Sequence, residues 1–377
     1  MLCVSTDSNT VSQKHRTTKR IDVSAAAGFR HNSPELGCTS SLRLEGVPED
    51  YKTMITMKTA KVLNAHGVSV VANSEIPRPV PGKGEILIEV FAAGVTPTEL
   101  LWYPTSHNKD GGVRTHAIPG HEFSGVVAQL GEGVDGFAAG EEVFGMNDWF
   151  ADGATAEYCI TVPLSIARKP SDLTRAEAAA VPIGARTAWQ GLFDRAHVQA
   201  GERLLVHGGA GAVGVFAVQL GRLHRAEVIA TASGRNREFL SQLGATHVID
   251  YQSEVFEQAV RDVDVVFDAV GGEVLERSWS VLKPGGRLVT VAADSESTND
   301  PRVKDAFFIV EPNQQQLTEI GGLLDEGKLR VFVDAQVPLA DAPAAYSGKA
   351  KRQHGYGKVV IVTPAYETSS GAGTLHG

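Results

Sequence analysis

The sequence predicts an α/β protein with two folded domains, a small β-barrel and a doubly wound parallel sheet. Between residues 58 and 144, short strand-like runs are separated by glycine- and proline-rich turns, a pattern typical of a small barrel. After residue 176, strands alternate with helices, which favours a parallel sheet. The stretch RLLVHGGAGAVG (203–214) carries a glycine-rich turn between a strand and a helix.

Composition excludes several classes of protein. The 377 residues suffice for two domains, and 42% apolar with 21% charged residues is ordinary for a globular chain. A net charge of −9 argues against nucleic acid or an anionic membrane as the partner, and no apolar run approaches a membrane span. Cys3, Cys38 and Cys159 form no C-x-x-C pair, which fits a reducing compartment, and we expect a cytoplasmic protein.

The first 56 residues lack apolar periodicity. A basic cluster at 14–20 is not followed by an apolar segment, so a secretory signal is not expected, and the acidic residues make a poor transit peptide. We expect a disordered extension or a start codon read too early, with Met57 as the true first residue. The last residues, 366–377, are expected to form a loose tail.

Strand and helix patterns give the domain limits. Barrel strands are predicted at 58–63, 85–90, 124–129 and 141–144, and strands at 331–337 and 358–362 return to complete this domain, preceded by a helix at 317–324. The parallel sheet is predicted from strands at 203–207, 227–231, 246–251, 263–270 and 287–292, and residues 306–310 could form a sixth. The predicted limits are 57–181 plus 311–365 for the barrel domain and 182–310 for the parallel-sheet domain.

The glycine turn predicts a nucleotide site. Gly209, Gly211 and Gly214 have the G-x-G-x-x-G spacing, with a buried strand before them and an amphipathic helix after them. Glycines let the main chain approach a pyrophosphate, and the free N–H groups at the helix start point towards its charge.

Five motifs resemble the medium-chain dehydrogenase/reductase superfamily: GVTPTEL (94–100), IPGHEFSGVV (118–127), EAAAVPIGARTAW (177–189), LLVHGGAGAVGVFAVQL (204–220) and VLKPGGRLV (281–289). The likeness covers residues 57–364 and is greatest to the zinc-independent, zeta-crystallin-like quinone oxidoreductase branch. The resemblance implies a GroES-like β-barrel catalytic domain, a Rossmann domain, a cleft between them, and NADPH-dependent reduction of quinones or activated alkenes. We also expect a homodimer.

The zinc ligands of the alcohol dehydrogenase branch are not reproduced. That branch uses a Cys, the His of GHE and a second Cys; here His121 is present, but Thr96 and Ile183 stand where the thiolates would be. Glu99, Glu122 and Cys159 could in principle contribute, but one His does not make a zinc site, which needs three protein ligands. We therefore expect no metal and a packed His121.

Cofactor preference is predicted from the end of the second strand of the parallel sheet. Residues 231–237 carry no carboxylate for a ribose 2′-OH, but hold Ser233, Arg235, Asn236 and Arg237, and an arginine favours a 2′-phosphate. The alternative is a solvated helix start. The resemblance adds Tyr251 near the adenosine phosphate and completes the expected NADPH site with Thr187, Ala210, Ala212, Val213, Val270, Phe308 and Val310.

The reacting end is less defined by the sequence. Tyr103 is the candidate hydrogen-bond donor to the substrate, near Thr96, and residues 146–150 are expected to form a pocket wall. Arg186 replaces a usually apolar residue, without a sequence-based explanation. Alternatives to a quinone or enone reductase are a zinc alcohol dehydrogenase, an enoyl-thioester reductase, and a non-catalytic NADPH-binding sensor or structural protein.

Overall fold

The computed structural model describes residues 55–65 and 68–366. The expected N-terminal extension lies outside these residues except for its last two positions, and the expected tail lies outside them from residue 367. Thr56 pairs with Pro77 in a hairpin, and the Ile55 carbonyl accepts a hydrogen bond from the Arg78 N–H at 2.9 Å. The folded chain therefore begins before Met57.

The strands and helices of the described residues are as follows. The strands are β1 (Thr56–Ala65), β2 (Val68–Pro77), β3 (Ile86–Val95), β4 (Glu122–Leu130), β5 (Glu142–Met146), β6 (Tyr158–Thr161), β7 (Ile166–Arg168), β8 (Arg203–His207), β9 (Glu227–Ala232), β10 (His247–Asp250), β11 (Val263–Asp268), β12 (Leu282–Thr290), β13 (Val333–Pro338) and β14 (Lys358–Val362). The α-helices are α1 (Tyr103–Ser106), α2 (Arg175–Ala179), α3 (Pro182–Trp189), α4 (Gly214–Leu223), α5 (Arg237–Leu243), α6 (Phe256–Ala259), α7 (Gly272–Ser278), α8 (Pro301–Ala306), α9 (Gln314–Asp325) and α10 (Ala342–Tyr346). A π-helix spans Gln190–Arg195, and 3-10 helices span Pro97–Leu101, Pro163–Ser165, Gly234–Asn236, Trp279–Val281, Ala293–Ser295 and Leu339–Asp341.

The first sheet contains both early and late strands. Its order is β13-β14-β3-β4-β5-β7, with β6 also paired to β3, so the two late strands join the strands from the first half of the chain. Strand β14 runs antiparallel to β3, which places the start of β14 beside the end of β3. The β1–β2 hairpin forms a separate two-stranded sheet, and sequence patterns did not reveal β2.

The second sheet has the order β10-β9-β8-β11-β12, and all its pairs are parallel. The strand order reverses between β8 and β11, and in open α/β sheets this switch point is where ligands bind at the carboxyl ends of the strands. Sheet types and helix positions confirm the predicted α/β fold class.

The prediction of a sixth strand at residues 306–310 was wrong. Only one parallel bridge, from Thr290 to Phe307, forms there. Beyond it, side chains replace the strand ladder: the Val310 carbonyl accepts from Trp149 Nε1 at 3.2 Å, and the Glu311 N–H donates to Gln190 Oε1 at 3.0 Å. Residues 310–311 thus form their backbone hydrogen bonds with side chains and not with a neighbouring strand.

One continuous apolar core joins the two sheets. It contains Phe144 and Ala167 from the first sheet, Leu204 and Val206 from the second, and Leu317 from α9. Because close-packed cores deform little, this packing fixes the two sides of the cleft relative to each other.

Candidate active site between the two sheets

The glycine turn after β8 is shaped by close backbone approaches. Gly208 has a φ of +73°, which only glycine adopts readily, and a Cβ at Gly214 would lie 2.2 Å from the Gly208 carbonyl oxygen. A Cβ at Gly209 would meet Ala230 of β9 at 2.9 Å. The glycines therefore let α4 begin directly against the end of β8.

Two N–H groups at this turn are available to a ligand. Within the described part of the chain, the N–H groups of Ala212 and Val213 have no hydrogen-bond acceptor, and α4 has no side-chain N-cap. Together with the positive end of the helix dipole, they form a suitable site for a phosphate. The turn is tied to the first sheet's domain because the Gly357 N–H donates to the Ala210 carbonyl at 3.0 Å.

A cavity of about 320 Å³ opens beside this turn. Its walls come from both sheets and are mostly apolar. Of the predicted cofactor and catalytic residues, seven line it: Thr96, Tyr103, Thr187, Ala212, Val213, Phe308 and Val310. Trp149 and Phe150, from the segment expected to form a pocket wall, line it too. So do Trp102, Ile183, Ile309 and Lys358, of which Lys358 was not recognised from the sequence.

The other predicted cofactor residues lie outside the cavity lining. Val270 is 52% exposed and stands beside the turn, where a Cβ at Gly208 would lie 3.2 Å from it. Tyr251 is 63% exposed after β10. Asn236 is buried, and Ser233 is half-buried.

The two predicted arginines differ in their surroundings. Arg237 is already engaged, because its guanidinium donates to Glu254 at 2.8 Å and to the Val248 carbonyl. Arg235 is exposed and lies against Gly355, where a Cβ would come within 2.8 Å of its guanidinium. Arg235 is therefore the better placed of the two for a phosphate.

A carboxylate that the linear sequence did not reveal also lies here. A Cβ at Gly234 would be 2.5 Å from the Asp250 carboxylate, so the parallel neighbour β10 brings an acid next to the turn that follows β9. The Gln252 N–H and the Ser253 hydroxyl bind this carboxylate and lower the pKa of Asp250. Asp250 therefore stays ionised beside Ser233 and Arg235.

A buried polar cluster lies beneath the cavity. Glu122, at the start of β4, is 1% exposed and accepts a hydrogen bond from the Ile183 N–H at 2.8 Å. Lys358, 5% exposed, forms an ion pair with Glu122 and donates to Thr96 Oγ1 at 2.8 Å. Gly94 makes room for this arrangement, since a Cβ there would lie 2.5 Å from the Glu122 side chain.

Arg186, which had no explanation in the sequence, belongs to the same cluster. It is fully buried in α3, and its Nε donates to the Pro182 carbonyl at 3.1 Å. Burial lowers the pKa of Arg186 to about 10, while the charge of Glu122 opposes that change. Arg186 therefore remains a cation at neutral pH, and its two terminal nitrogens have no hydrogen-bond partner among the described residues.

His121 lies in a second buried pair. Its Nδ1 is 2.9 Å from Glu99 Oε2, and the Gly120 N–H donates to the other Glu99 oxygen at 3.0 Å. The Trp149 ring lies 5.3 Å from the imidazole ring, and His121 Nε2 has no hydrogen-bond partner among the described residues. His121 is thus packed as expected from the sequence, and its Nε2 is the one atom of this pair that could still bind a metal ion.

These residues do not fit a catalytic zinc ion. Within residues 55–65 and 68–366, no group of three His, Cys, Asp or Glu side chains is positioned to hold a metal. The Thr96 hydroxyl is bound by an ammonium group, Ile183 offers only an apolar side chain, and Glu122 is already paired with that ammonium. A dication would have to displace Lys358 from both partners, with one imidazole nitrogen as compensation.

Tyr103 lines the cavity but is turned towards a loop. Its ring stacks on His107 with 4.3 Å between ring centroids, and it is 44% exposed. A Cβ at Gly111 would lie 3.7 Å from its hydroxyl oxygen. The Tyr103 hydroxyl thus lies by the 107–112 loop, and its proposed role as a donor stays a prediction.

Comparisons with known proteins agree with this architecture. The family model described as "Alcohol dehydrogenase GroES-like domain" matches residues 82–171, and that described as "Zinc-binding dehydrogenase" matches residues 243–361. A solved quinone oxidoreductase from Coxiella burnetii is 30% identical, with a TM-score of 0.72, covering 82% of this chain and 99% of that one.

Two curated relatives are similar over most of the chain. The NADPH-dependent alkenal/one oxidoreductase, chloroplastic, of Arabidopsis thaliana is 30% identical over 78% of this chain and 76% of its own. The probable zinc-binding oxidoreductase, mitochondrial, of Arthroderma benhamiae is 31% identical over 76% of this chain and 91% of its own. No helix among the described residues is long and apolar enough to cross a membrane. Cytoplasmic location and dimerisation stay predictions.

The chain belongs to the medium-chain dehydrogenase/reductase superfamily and is an oxidoreductase.

Proposed function

We propose that this protein is an NADPH-dependent reductase that delivers hydride to a quinone or an α,β-unsaturated carbonyl compound without a metal. The observation that carries the proposal is the cavity floor. Thr96 and Lys358 lie there, next to the glycine turn, where the zinc-dependent branch would hold its metal. The names of the Arabidopsis and Coxiella relatives support the same class of acceptor.

The floor suits conjugated acceptors better than isolated carbonyls. Hydride arriving at a saturated aldehyde leaves a localised alkoxide, which a metal or a strong acid normally stabilises. Hydride arriving at the β-carbon of an enone forms a C–H bond there and moves the alkene electron pair towards oxygen, giving an enolate that water can protonate at the α-carbon. One oxyanion donor contributes roughly 2.7–4 kcal/mol to such a transition state, and the Thr96 hydroxyl is placed to donate.

The cofactor would supply the hydride, held by groups of both domains. The N–H groups of Ala212 and Val213 suit its pyrophosphate, and Thr187, Phe308 and Val310 line the cavity at the reacting end. Arg235 supports a preference for the 2′-phosphate of NADPH over the 2′-hydroxyl of NADH. The Asp250 carboxylate, beside Gly234, opposes this preference.

The proposal is tested by NADPH oxidation against a matched panel. We expect turnover with a simple quinone and an enone, and little with the saturated aldehyde of equal length; an enoyl thioester in the same panel tests the thioester-reductase alternative. Elemental analysis should find less than stoichiometric zinc in active protein. Activity that a chelator abolishes and zinc restores would contradict the metal-independent reaction, and binding of NADPH without any turnover would favour a non-catalytic role.

A further inference from the structure

Lys358 is a buried cation at the surface of the cavity. It begins β14, which pairs with β3 so that Val359 faces Val95, and Thr96 is the next residue after β3. This register brings the Lys358 ammonium to 2.8 Å from Thr96 Oγ1. Two strands of one sheet, rather than a mobile loop, therefore hold the two side chains together.

The hydrogen bond from Lys358 determines what the Thr96 hydroxyl can do. An ammonium group can donate hydrogen bonds but cannot accept them, so Thr96 Oγ1 must be the acceptor of this bond. The hydroxyl proton of Thr96 must therefore point away from Lys358. Thr96 lines the cavity, and no acceptor for its hydroxyl proton is present among the described residues. A hydroxyl that accepts a charge-assisted bond becomes a stronger donor, because hydrogen bonds in a chain polarise one another.

The buried charges below the cavity, two cations and one carboxylate, favour an anion above them. Lys358 is ion-paired with Glu122, which lies below the cavity and accepts a hydrogen bond from the Ile183 N–H. Arg186 is a second buried cation, and its terminal guanidinium nitrogens have no hydrogen-bond partner among the described residues. A second buried glutamate, Glu99, accepts from the Gly120 N–H and contacts His121. Burial together with the charge of Glu99 raises the pKa of Tyr346, so this phenol stays neutral. Among the described residues that line the cavity, Lys358 is the cation, and the exposed Glu296 is the carboxylate.

We propose that Lys358 is a positioning residue for an oxyanion site, polarising the Thr96 hydroxyl so that it binds the developing enolate or hydroquinone oxygen. The inference rests on the proposed function for its substrate class. In this arrangement the Thr96 hydroxyl, polarised by Lys358, donates the hydrogen bond to the substrate oxygen, and Tyr103 does not.

A phenol probe tests the oxyanion site without turnover. The apparent pKa of 4-nitrophenol bound to the full chain with NADP⁺ is read from the absorbance of its phenolate. We expect the wild type to lower that pKa by at least one unit, a tenfold preference for the anion, and Lys358→Met or Thr96→Val to remove the shift. The double variant should lose no more than either single variant, because both changes break one chain of bonds.

Matched variants separate charge from structure. Lys358→Arg keeps the charge and should retain part of the shift, and Lys328→Met, at an exposed lysine paired with Glu326, should leave the shift intact. With an enone, Lys358→Met should lower kcat at least tenfold while the NADPH dissociation constant stays unchanged. An unchanged phenol pKa in Lys358→Met, additive losses in the double variant, or a wild type that binds no phenolate would overturn the inference.

The two proposals fail in distinguishable ways. A Lys358-dependent phenolate shift in a wild type that turns over neither quinones nor enones would refute the proposed function and leave the oxyanion site in place. Normal enone reduction by Lys358→Met would refute the role of Lys358 and leave the proposed function in place.

Discussion

Acid should destabilise this protein through one buried histidine directly before the glycine turn. His207 ends β8 and is fully buried, with Nδ1 3.1 Å from Thr231 Oγ1 and Nε2 3.0 Å from Ser278 Oγ. The Ser278 hydroxyl donates to the Val274 carbonyl, so it accepts from Nε2, and Nδ1 accepts from Thr231. Both ring nitrogens are satisfied when the ring is neutral, and a further proton would disturb the hydroxyl that Gly208 also contacts.

The size of the effect follows from the pKa. Burial, aided by the charge of Arg277, lowers the pKa of His207 from 6.5 to about 3. Below pH 6.5, His207 binds a proton in the unfolded chain but stays neutral in the folded chain. The free energy of unfolding therefore decreases as the pH falls from 6.5 towards 3. At about 1.36 kcal/mol per pKa unit, the loss between pH 7.5 and pH 5 is about 2 kcal/mol.

Urea unfolding at pH 7.5 and pH 5 measures this loss. His207→Gln keeps one donor and one acceptor but does not titrate, so its stability should fall by about 2 kcal/mol less than that of the wild type over this interval. His247→Gln, at an exposed histidine on β10, should behave as the wild type. An equal loss in the wild type and His207→Gln would show that His207 is not the source of the acid sensitivity.

Three other outcomes are expected. The wild type should bind NADPH at least tenfold more tightly than NADH, since a charge-assisted bond contributes about 1.5–3 kcal/mol, and Arg235→Ala should shrink the ratio; equal dissociation constants in a fluorescence titration would contradict this. Gly94→Ala should abolish enone turnover, because its Cβ would collide with Glu122, whereas Gly322→Ala, with open space around its Cβ, should be silent in the same assay. A chain beginning at Ile55 should keep its melting temperature and turnover; an insoluble or inactive product would show that the preceding residues are structural.

The sequence predicts the parallel sheet well because its signals are local. A buried apolar run, a glycine turn and an amphipathic helix occur within 203–223, and the structure places β8, the turn and α4 there. The expected sixth strand at residues 306–310 does not form, and the reason lies in contacts with residues distant in sequence. Trp149 and Gln190, distant in sequence, satisfy the backbone at 310–311 in place of a neighbouring strand.

The cavity floor could not be predicted from linear patterns. Lys358 lies 262 residues from Thr96, and only the pairing of β14 with β3 brings them together. Asp250 is similarly brought beside Gly234 by a neighbouring strand. Arg186 stands out in the sequence as a charge in an apolar pattern, but the electrostatic influence of Glu122 on it becomes evident only in three dimensions.

Isotope tracing shows whether the hydride of NADPH reaches the β-carbon of a conjugated acceptor. Protein incubated with an enone and NADPH deuterated at the transferring position should give a saturated ketone carrying deuterium at the β-carbon, as read by NMR. An allylic alcohol with deuterium at the former carbonyl carbon would instead show carbonyl reduction and contradict hydride delivery to the β-carbon.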